Sequence, residues 1–144
     1  MADATYTRAS ITADAAERML VAAIAEGAQL GKRFTVAVVD ESGVLKALRR
    51  MDGAVLVSVQ TSQDKAYSAV SAARPTHAWE KLFEQEPILG VGAPTGIDRM
   101  IVLGGGYPIV IDGQIVGGIG VGGGTFHDDM QVAEAALKAV GATI

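Results

Sequence analysis

The sequence contains no cysteine and few aromatic residues. The absence of cysteine excludes disulfide bonds, thiolate catalysis and zinc sites built from thiolates. Aromatic residues make up only 5% of the 144 residues, whereas hydrophobic residues make up 49%. We therefore expect a core built mainly from Ala, Val, Ile and Leu. The length predicts one ordinary domain over residues 1–144.

The sequence also lacks an excess of basic residues and lacks long apolar runs. The formal net charge is −4, so no basic stripe is available and nucleic acid is not expected as a partner. No apolar stretch reaches membrane-spanning length without glycines or charges, and the first residues do not have the pattern of a signal peptide. These properties predict a soluble cytoplasmic protein without a membrane partner.

Glycine, in contrast, is abundant and concentrated. More than half of the 18 glycines lie between Gly104 and Gly124. Glycine costs stability inside a strand, so its repetition there indicates close approach of a backbone or a ligand. Polar residues that can carry chemistry follow this run directly, from Thr125 to Asp129. We therefore expect one wall of a functional site at this position.

Hydrophobic patterning predicts the elements of the fold. Helical periodicity predicts helices over 11–30, 54–73, 78–85 and 128–140. Runs of β-formers predict strands over 34–39, 44–50, 100–103, 107–111 and 114–121. Residues 86–98, rich in proline and glycine, are predicted to form a loop. Because short turns join neighbouring strands, the sequence predicts an α/β (α+β) domain with a five-stranded, mainly antiparallel sheet covered by helices.

Three side chains are candidates for catalysis: His127, Asp52 and Lys65. His127 could be a general base or a metal or haem ligand, oriented by Asp128 or Asp129, or it could be an exposed surface histidine. Lys65 could bind a carboxylate or act as a base, or it could reach solvent from a helix packed against a partner subunit. Asp52 could share one cleft with Lys65, or it could cap the helix that follows.

Further residues are candidates for ligand binding. The backbone amides of Gly123, Gly124 and Thr125 precede a helix and could bind an anion, and Arg50 could bind a carboxylate. Alternatively, the glycines only permit close packing. No lysine follows them in the spacing of a nucleotide phosphate loop. His77 is either a surface residue or an axial haem ligand, and two distant histidines do not specify an ordinary metal site, so none is predicted.

Three segments, taken together, carry a resemblance to a known family. They are the turn Val38–Gly43, the motif Arg50–Gly53 followed by Asp64–Ala66, and the glycine-rich segment Gly105–Gly124 with its Asp112–Gly113 turn. Over roughly residues 9–141 the sequence resembles the GlcG/HbpS family of haem-binding and haem-degrading proteins. The resemblance implies a profilin-like sandwich, often assembled into higher oligomers, with haem as a candidate cofactor.

Three functions remain open from the sequence. The first is a small-molecule catabolic enzyme or accessory protein that acts on a carboxylate or carbonyl intermediate by proton transfer, as in isomerisation, tautomerisation or hydration. The alternative is a haem- or corrinoid-binding module of the GlcG/HbpS type. The third is an oligomeric scaffold without chemistry. A small-molecule ligand and a homo-oligomer are expected, since several helix faces are rich in alanine and suited to close packing.

Overall fold

The structure, a computed structural model, describes residues 3–144. These residues form four strands, five α-helices and a short 3₁₀ helix, Thr76–Ala78. In chain order the elements are α1 (Ala13–Gln29), β1 (Thr35–Asp40), β2 (Leu45–Arg50), α2 (Val57–Ala72), α3 (Trp79–Gln85), α4 (Pro87–Gly96), β3 (Gly106–Ile111), β4 (Gln114–Gly122) and α5 (Phe126–Ala139).

The four strands form one antiparallel sheet in the order β2-β1-β4-β3. The predicted turn between β1 and β2 is confirmed. In this turn the carboxylate of Asp40 accepts hydrogen bonds from the amides of Ser42 and Val44. The second predicted turn is confirmed at Asp112–Gly113, where φ is 51° and 76°. Two positive φ angles are the requirement of the two-residue turn that matches the twist of a hairpin.

The predicted fifth strand, over residues 100–103, is wrong. Ser68 of α2 binds this segment instead: its hydroxyl donates to the carbonyl of Arg99 and accepts from the amide of Ile101, both at 2.9 Å. The Ile101 amide is thus bound by a helix side chain and not by a neighbouring strand. The α+β class is confirmed, and the described residues form four strands where five were expected.

Helices cover both faces of the sheet. On one face, α1 and α5 pack over β1, β3 and β4 around the main core, whose largest fully buried members are Phe34, Met19, Leu20, Ile109, Ile119 and Leu137. On the other face lies α2, with a smaller cluster formed by Val39, Ala66 and Val70. The functional residues discussed below lie at the end of β4 and on the helices α2 and α5.

Alternate glycines in β4 determine how closely α2 approaches the sheet. A Cβ atom on Gly120 would overlap the carbonyl oxygen of Ser62, and one on Gly118 would lie 2.5 Å from the carbonyl oxygen of Ala66. The intervening residues, Ile119 and Val121, point into the main core. Because successive residues of a strand face opposite sides, these glycines let α2 rest directly on the backbone of β4.

The observed helices differ from the predicted ones chiefly in two places, and their other boundaries shift by at most two residues. The predicted loop over 86–98 contains α4, which begins with Pro87 in the first turn, where proline is tolerated. The helix predicted from residue 54 begins at Val57. Thr12 caps α1, because its hydroxyl accepts the amide of Ala15 at 3.1 Å. Within residues 3–144, no helix is long and apolar enough to cross a membrane.

Candidate functional site

Lys65 and Asp129 form a buried ion pair between α2 and α5. The ammonium of Lys65 donates to the Asp129 carboxylate at 2.8 Å and to the carbonyl of Val121 at 2.9 Å. The second carboxylate oxygen of Asp129 accepts the amide of Gly124 at 3.0 Å. The two side chains are only 4% and 3% exposed. The pair therefore joins α2 to the end of β4 and the beginning of α5.

Burial and the partners of Asp129 have opposite effects on the pKa of its carboxyl group. Desolvation raises the pKa of the Asp129 carboxyl, although the charge of Lys65 and the hydrogen bonds from Lys65 and Gly124 act to lower it. A buried ion pair is weak evidence for stability, because the loss of hydration offsets much of the attraction. Titratable groups perturbed in this way are more frequent at functional sites than elsewhere.

Gly105 makes room for the ion pair. Its φ is +118°, and a Cβ atom there would lie 2.7 Å from the Asp129 Cβ and 3.1 Å from the Lys65 ammonium. Only glycine combines this backbone conformation with the required space. The glycine run thus serves the pair as well as the packing of α2. The sequence contained both charged residues but did not show that they meet.

A small pocket of about 190 Å³ lies over the ion pair. Its walls are mostly apolar, and Lys65 and Asp129 are its only charged lining residues among those described. The predicted loop residues Gly123 and Gly124 lie at its edge. The remaining lining residues are Val55, Val57, Thr61, Leu103, Gly122 and Phe126.

The amides at the beginning of α5 are already occupied by carboxylates of this chain. The Gly124 amide donates to Asp129, and the Thr125 amide donates to Asp128 at 2.9 Å. The Thr125 hydroxyl in turn accepts the Asp128 amide, which completes a capping box. The predicted anion site therefore cannot use the amides of Gly124 or Thr125 in this arrangement. Gly123 remains a candidate because its amide has no partner among residues 3–144.

Asp128 is held by a cation from outside α5. The Lys32 ammonium donates to its carboxylate. That hydrogen bond, together with the bond from the Thr125 amide, lowers the pKa of Asp128 to about 2. Asp128 therefore stays ionised near neutral pH and anchors the beginning of α5.

Asp52 and Arg50 lie in a different groove from Lys65, so the predicted cleft shared by Asp52 and Lys65 is wrong. Asp52 is exposed in the turn before α2, whereas Lys65 lies on the buried face of α2. Asp52 does not cap α2 either, because Leu56 holds the N-cap position. The guanidinium of Arg50 donates to the carbonyl of Ala54 at 2.7 and 3.1 Å. The groove, of about 440 Å³, is also lined by Ile24, Arg33, Arg49 and Met51.

His127 and His77 line one apolar groove of about 450 Å³. His127 is exposed on the first turn of α5. The predicted orientation of His127 by Asp128 or Asp129 is wrong, because both carboxylates are bound to other groups. The groove also contains Glu80, Phe83, Val102, Leu103, Gly104, Phe126 and Met130.

The imidazole of His77 makes no hydrogen bond that would commit it to a structural role. Its Nδ1 is buried and has no hydrogen-bond partner among residues 3–144. The ring packs against Tyr107, with 5.5 Å between the ring centroids. The preceding Thr76 is fixed, because its hydroxyl donates to the carbonyl of Leu103 and accepts the amide of Gly106. His77 is therefore positioned by a rigid segment at the wall of the groove.

The two histidines come together although 50 positions separate them in the sequence. The sequence predicts each histidine as a candidate haem ligand, but no sequence pattern indicates that the two line the same groove. Residues 3–144 contain no cluster of three or more His, Asp or Glu side chains able to hold a metal ion. The site thus consists of a two-histidine groove and a small charged pocket, with Leu103 and Phe126 lining both.

Known protein families and sequences include clear matches to this chain. The model of a family described as haem degrading protein HbpS-like matches residues 11–138. An uncharacterised 15.0 kDa protein of the dhaT-dhaS intergenic region of Citrobacter freundii is 33% identical over 90% of this chain and 91% of its own length. The corrinoid adenosyltransferase PduO of Salmonella typhimurium is 32% identical over 83% of this chain, which corresponds to 35% of PduO.

Solved structures of similar fold include proteins that also resemble this chain in sequence. The protein ORFY of Klebsiella pneumoniae superposes with a TM-score of 0.90 at 30% identity, with 100% of this chain and 99% of that chain covered. A complex of PduOC with heme has a TM-score of 0.84 at 28% identity, covering 93% and 97% of the two chains. A double mutant of Streptomyces reticuli HbpS also has a TM-score of 0.84, at 32% identity, covering 96% and 92%.

Proposed function

Because this chain belongs to the family of HbpS-like haem-degrading proteins, we propose that it binds haem in the groove between His77 and His127. The observation that carries the proposal is the presence of two imidazoles in one apolar groove. A relative of known structure holds haem. These findings support the haem or corrinoid alternative better than the proton-transfer enzyme.

The groove has the chemistry that a haem requires. Its volume of about 450 Å³ falls within the usual range for small-molecule sites, roughly 300–1,000 Å³. Phe83, Leu103 and Phe126 offer apolar walls to the macrocycle, and Met130 adds a thioether. Histidine is a common axial ligand of haem iron. The residues present therefore fit the group.

In this proposal, His77 and His127 are the residues that would hold the haem through their imidazole rings. His77 is positioned from a segment that Thr76 anchors, and His127 from the first turn of the capped helix α5. Bound haem would supply redox and oxygen chemistry, and the protein would tune it through the axial nitrogen and the exclusion of water.

Titration with haem tests the proposal. We expect a saturable visible absorption change for the wild-type chain and a weakened or altered spectrum for both His77→Ala and His127→Ala. The matched control is Asp52→Ala, since Asp52 lies in the separate arginine groove and its replacement should leave the titration unchanged. Equal titrations for all four proteins would refute the site, and no titration for the wild type would refute haem binding.

A corrinoid is the related ligand suggested by the PduO relatives. The same proteins can be titrated with cobalamin. We expect haem to bind more tightly, because a planar macrocycle with free axial positions suits a groove that presents two imidazoles. Preferential binding of cobalamin would replace haem with a corrinoid as the ligand of this site.

A further inference from the structure

The small pocket over Lys65 and Asp129 has a hydrogen-bonding capacity that the protein leaves unused. An ammonium group carries three donors. The Lys65 ammonium uses two of them, on Val121 and Asp129, and has no third partner among residues 3–144. Lys65 nevertheless lines the pocket, beside the hydroxyl-bearing side chain of Thr61. The pocket thus contains a buried charged donor without a full set of acceptors.

The charges of the pocket select the kind of ligand. Lys65 and Asp129 balance each other, so an anionic ligand would place an uncompensated charge beside a buried ion pair, which is costly. A neutral acceptor such as a carbonyl oxygen adds no charge. The apolar side chains of Val55, Val57 and Leu103 can contact a short alkyl chain. The volume of about 190 Å³ restricts the ligand to a small molecule.

We propose that this pocket takes a small aliphatic aldehyde or ketone and that Lys65 condenses with it to form an imine. In the first step the ammonium of Lys65 passes a proton to Asp129, and the free amine attacks the carbonyl carbon. The nitrogen of this adduct passes a proton to the carbonyl oxygen, which gives a neutral carbinolamine. Asp129 then returns the proton to the hydroxyl group, which leaves as water while the carbon–nitrogen double bond forms. One lysine ammonium and one carbonyl give one protonated imine and one water, with Asp129 again a carboxylate, so no oxidant or reductant is needed.

Burial of the pair favours this proton transfer, and the attraction between the two charges opposes it. Desolvation acts against the two separated charges, and it raises the pKa of Asp129. The charged groups that face Asp129 are Lys65 on α2 and the neighbouring Asp128, whose own charge is compensated by Lys32. Desolvation in an apolar pocket is a recognised way in which a lysine becomes able to form an imine. The proposal does not depend on haem, because Lys65 and Asp129 do not line the two-histidine groove.

Reductive trapping tests the imine on the full chain without haem. The protein is incubated with propanal and sodium cyanoborohydride, and the modified lysines are identified by peptide mass mapping. We expect alkylation at Lys65 to be at least about tenfold faster than at the other lysines. Those other lysines are all exposed: Lys32, Lys46, Lys81 and Lys138. Labelling that follows exposure, with Lys65 unmodified or slowest, would overturn the proposal.

Two variants and a second aldehyde sharpen the test. Lys65→Met should remove the fast-labelled site. Asp129→Asn should keep the shape of the pocket but slow labelling of Lys65 by about tenfold or more, because the proton acceptor is lost. A bulky aromatic aldehyde should label the exposed lysines and spare Lys65 in the wild-type chain, a control that requires no variant to fold. Equal labelling of Lys65 by both aldehydes would show that no size-restricted pocket directs the reaction.

Discussion

The ammonium of Lys65 lies 2.8 Å from the carboxylate of Asp129, and this contact joins residues that are 64 positions apart in the chain. It connects α2, on one face of the sheet, to α5, which belongs to the other face. The contact passes beside Gly105 at the end of the sheet, where a side chain would collide with both partners. The ion pair is therefore part of the architecture as well as of the candidate site.

The first prediction concerns the stability of this pair. Lys65→Met should lower the free energy of unfolding by about 3–5 kcal/mol, because Asp129 is left as an unpaired buried charge. The double variant Lys65→Met/Asp129→Leu should recover most of that loss, since the uncompensated charge is gone. Urea denaturation measures the free energy of unfolding of both variants. As control, Glu17→Gln breaks the exposed contact with Arg49 and should cost about 1 kcal/mol or less. A double variant less stable than the single one would contradict the argument.

The second prediction concerns the glycines beneath α2. Gly120→Ala should destabilise the fold by about 1–3 kcal/mol, because its Cβ would overlap the backbone of Ser62. Gly92→Ala is the matched control: this glycine lies inside α4 with no atom near the added Cβ. Alanine there should be neutral or stabilise by about 0.5–1 kcal/mol. Thermal melts of both variants measure these changes in stability. Equal changes in the two variants would mean that close packing at Gly120 is unimportant.

The third prediction separates function from stability at His127. Because this side chain is exposed, His127→Ala should change the free energy of unfolding by about 0.5 kcal/mol or less. Haem binding should weaken in the same variant. If the protein instead catalyses proton transfer through His127, turnover should fall by roughly 10²–10⁴. Denaturation combined with haem titration distinguishes a ligand-binding residue from a structural one. If His127 were structural, its replacement would lower the stability of the protein and its haem binding together.

The fourth prediction concerns acid stability. The pKa of Asp128 is lowered to about 2 in the folded state, below the ordinary value of about 3.9 in the unfolded chain. Its stabilising contribution is therefore complete above about pH 4 and is lost as the pH falls towards about 2. Asp128→Asn should make the unfolding midpoint in urea less sensitive to pH in this window. Lys32→Ala should have a similar effect, and an unchanged pH profile in both variants would count against the interaction.

The fifth prediction concerns assembly. Several large apolar side chains are exposed, among them Leu56, Val57, Ile88 and Val91. Large exposed apolar side chains of this kind are candidates for burial in an interface between copies of the chain. We expect light scattering to give a mass that is a multiple of the 14.8 kDa chain. A monomeric mass at micromolar concentration would contradict the expected homo-oligomer.

Local features of the fold could be predicted from the sequence because neighbouring residues determine them. Thr12 caps α1, and the turns at Asp40–Gly43 and Asp112–Gly113 join strands as expected. Each depends on a few adjacent residues with restricted backbone angles or a short capping side chain. The glycine run also indicated close approach correctly, since strand periodicity alone places alternate glycines on one face.

The candidate site could be predicted only as a collection of residues, because its contacts are long-range. Lys65 and His127 were identified from the sequence, but the pairing of Lys65 with Asp129 instead of Asp52 depends on the position of α2 on the sheet. The approach of His77 to His127 depends on the packing of several elements. The strand predicted over 100–103 failed for a similar reason, because its β-forming residues are held by Ser68 of α2. The sequence by itself therefore determined the turns, caps and most helices, whereas tertiary packing decided which distant polar groups share a site.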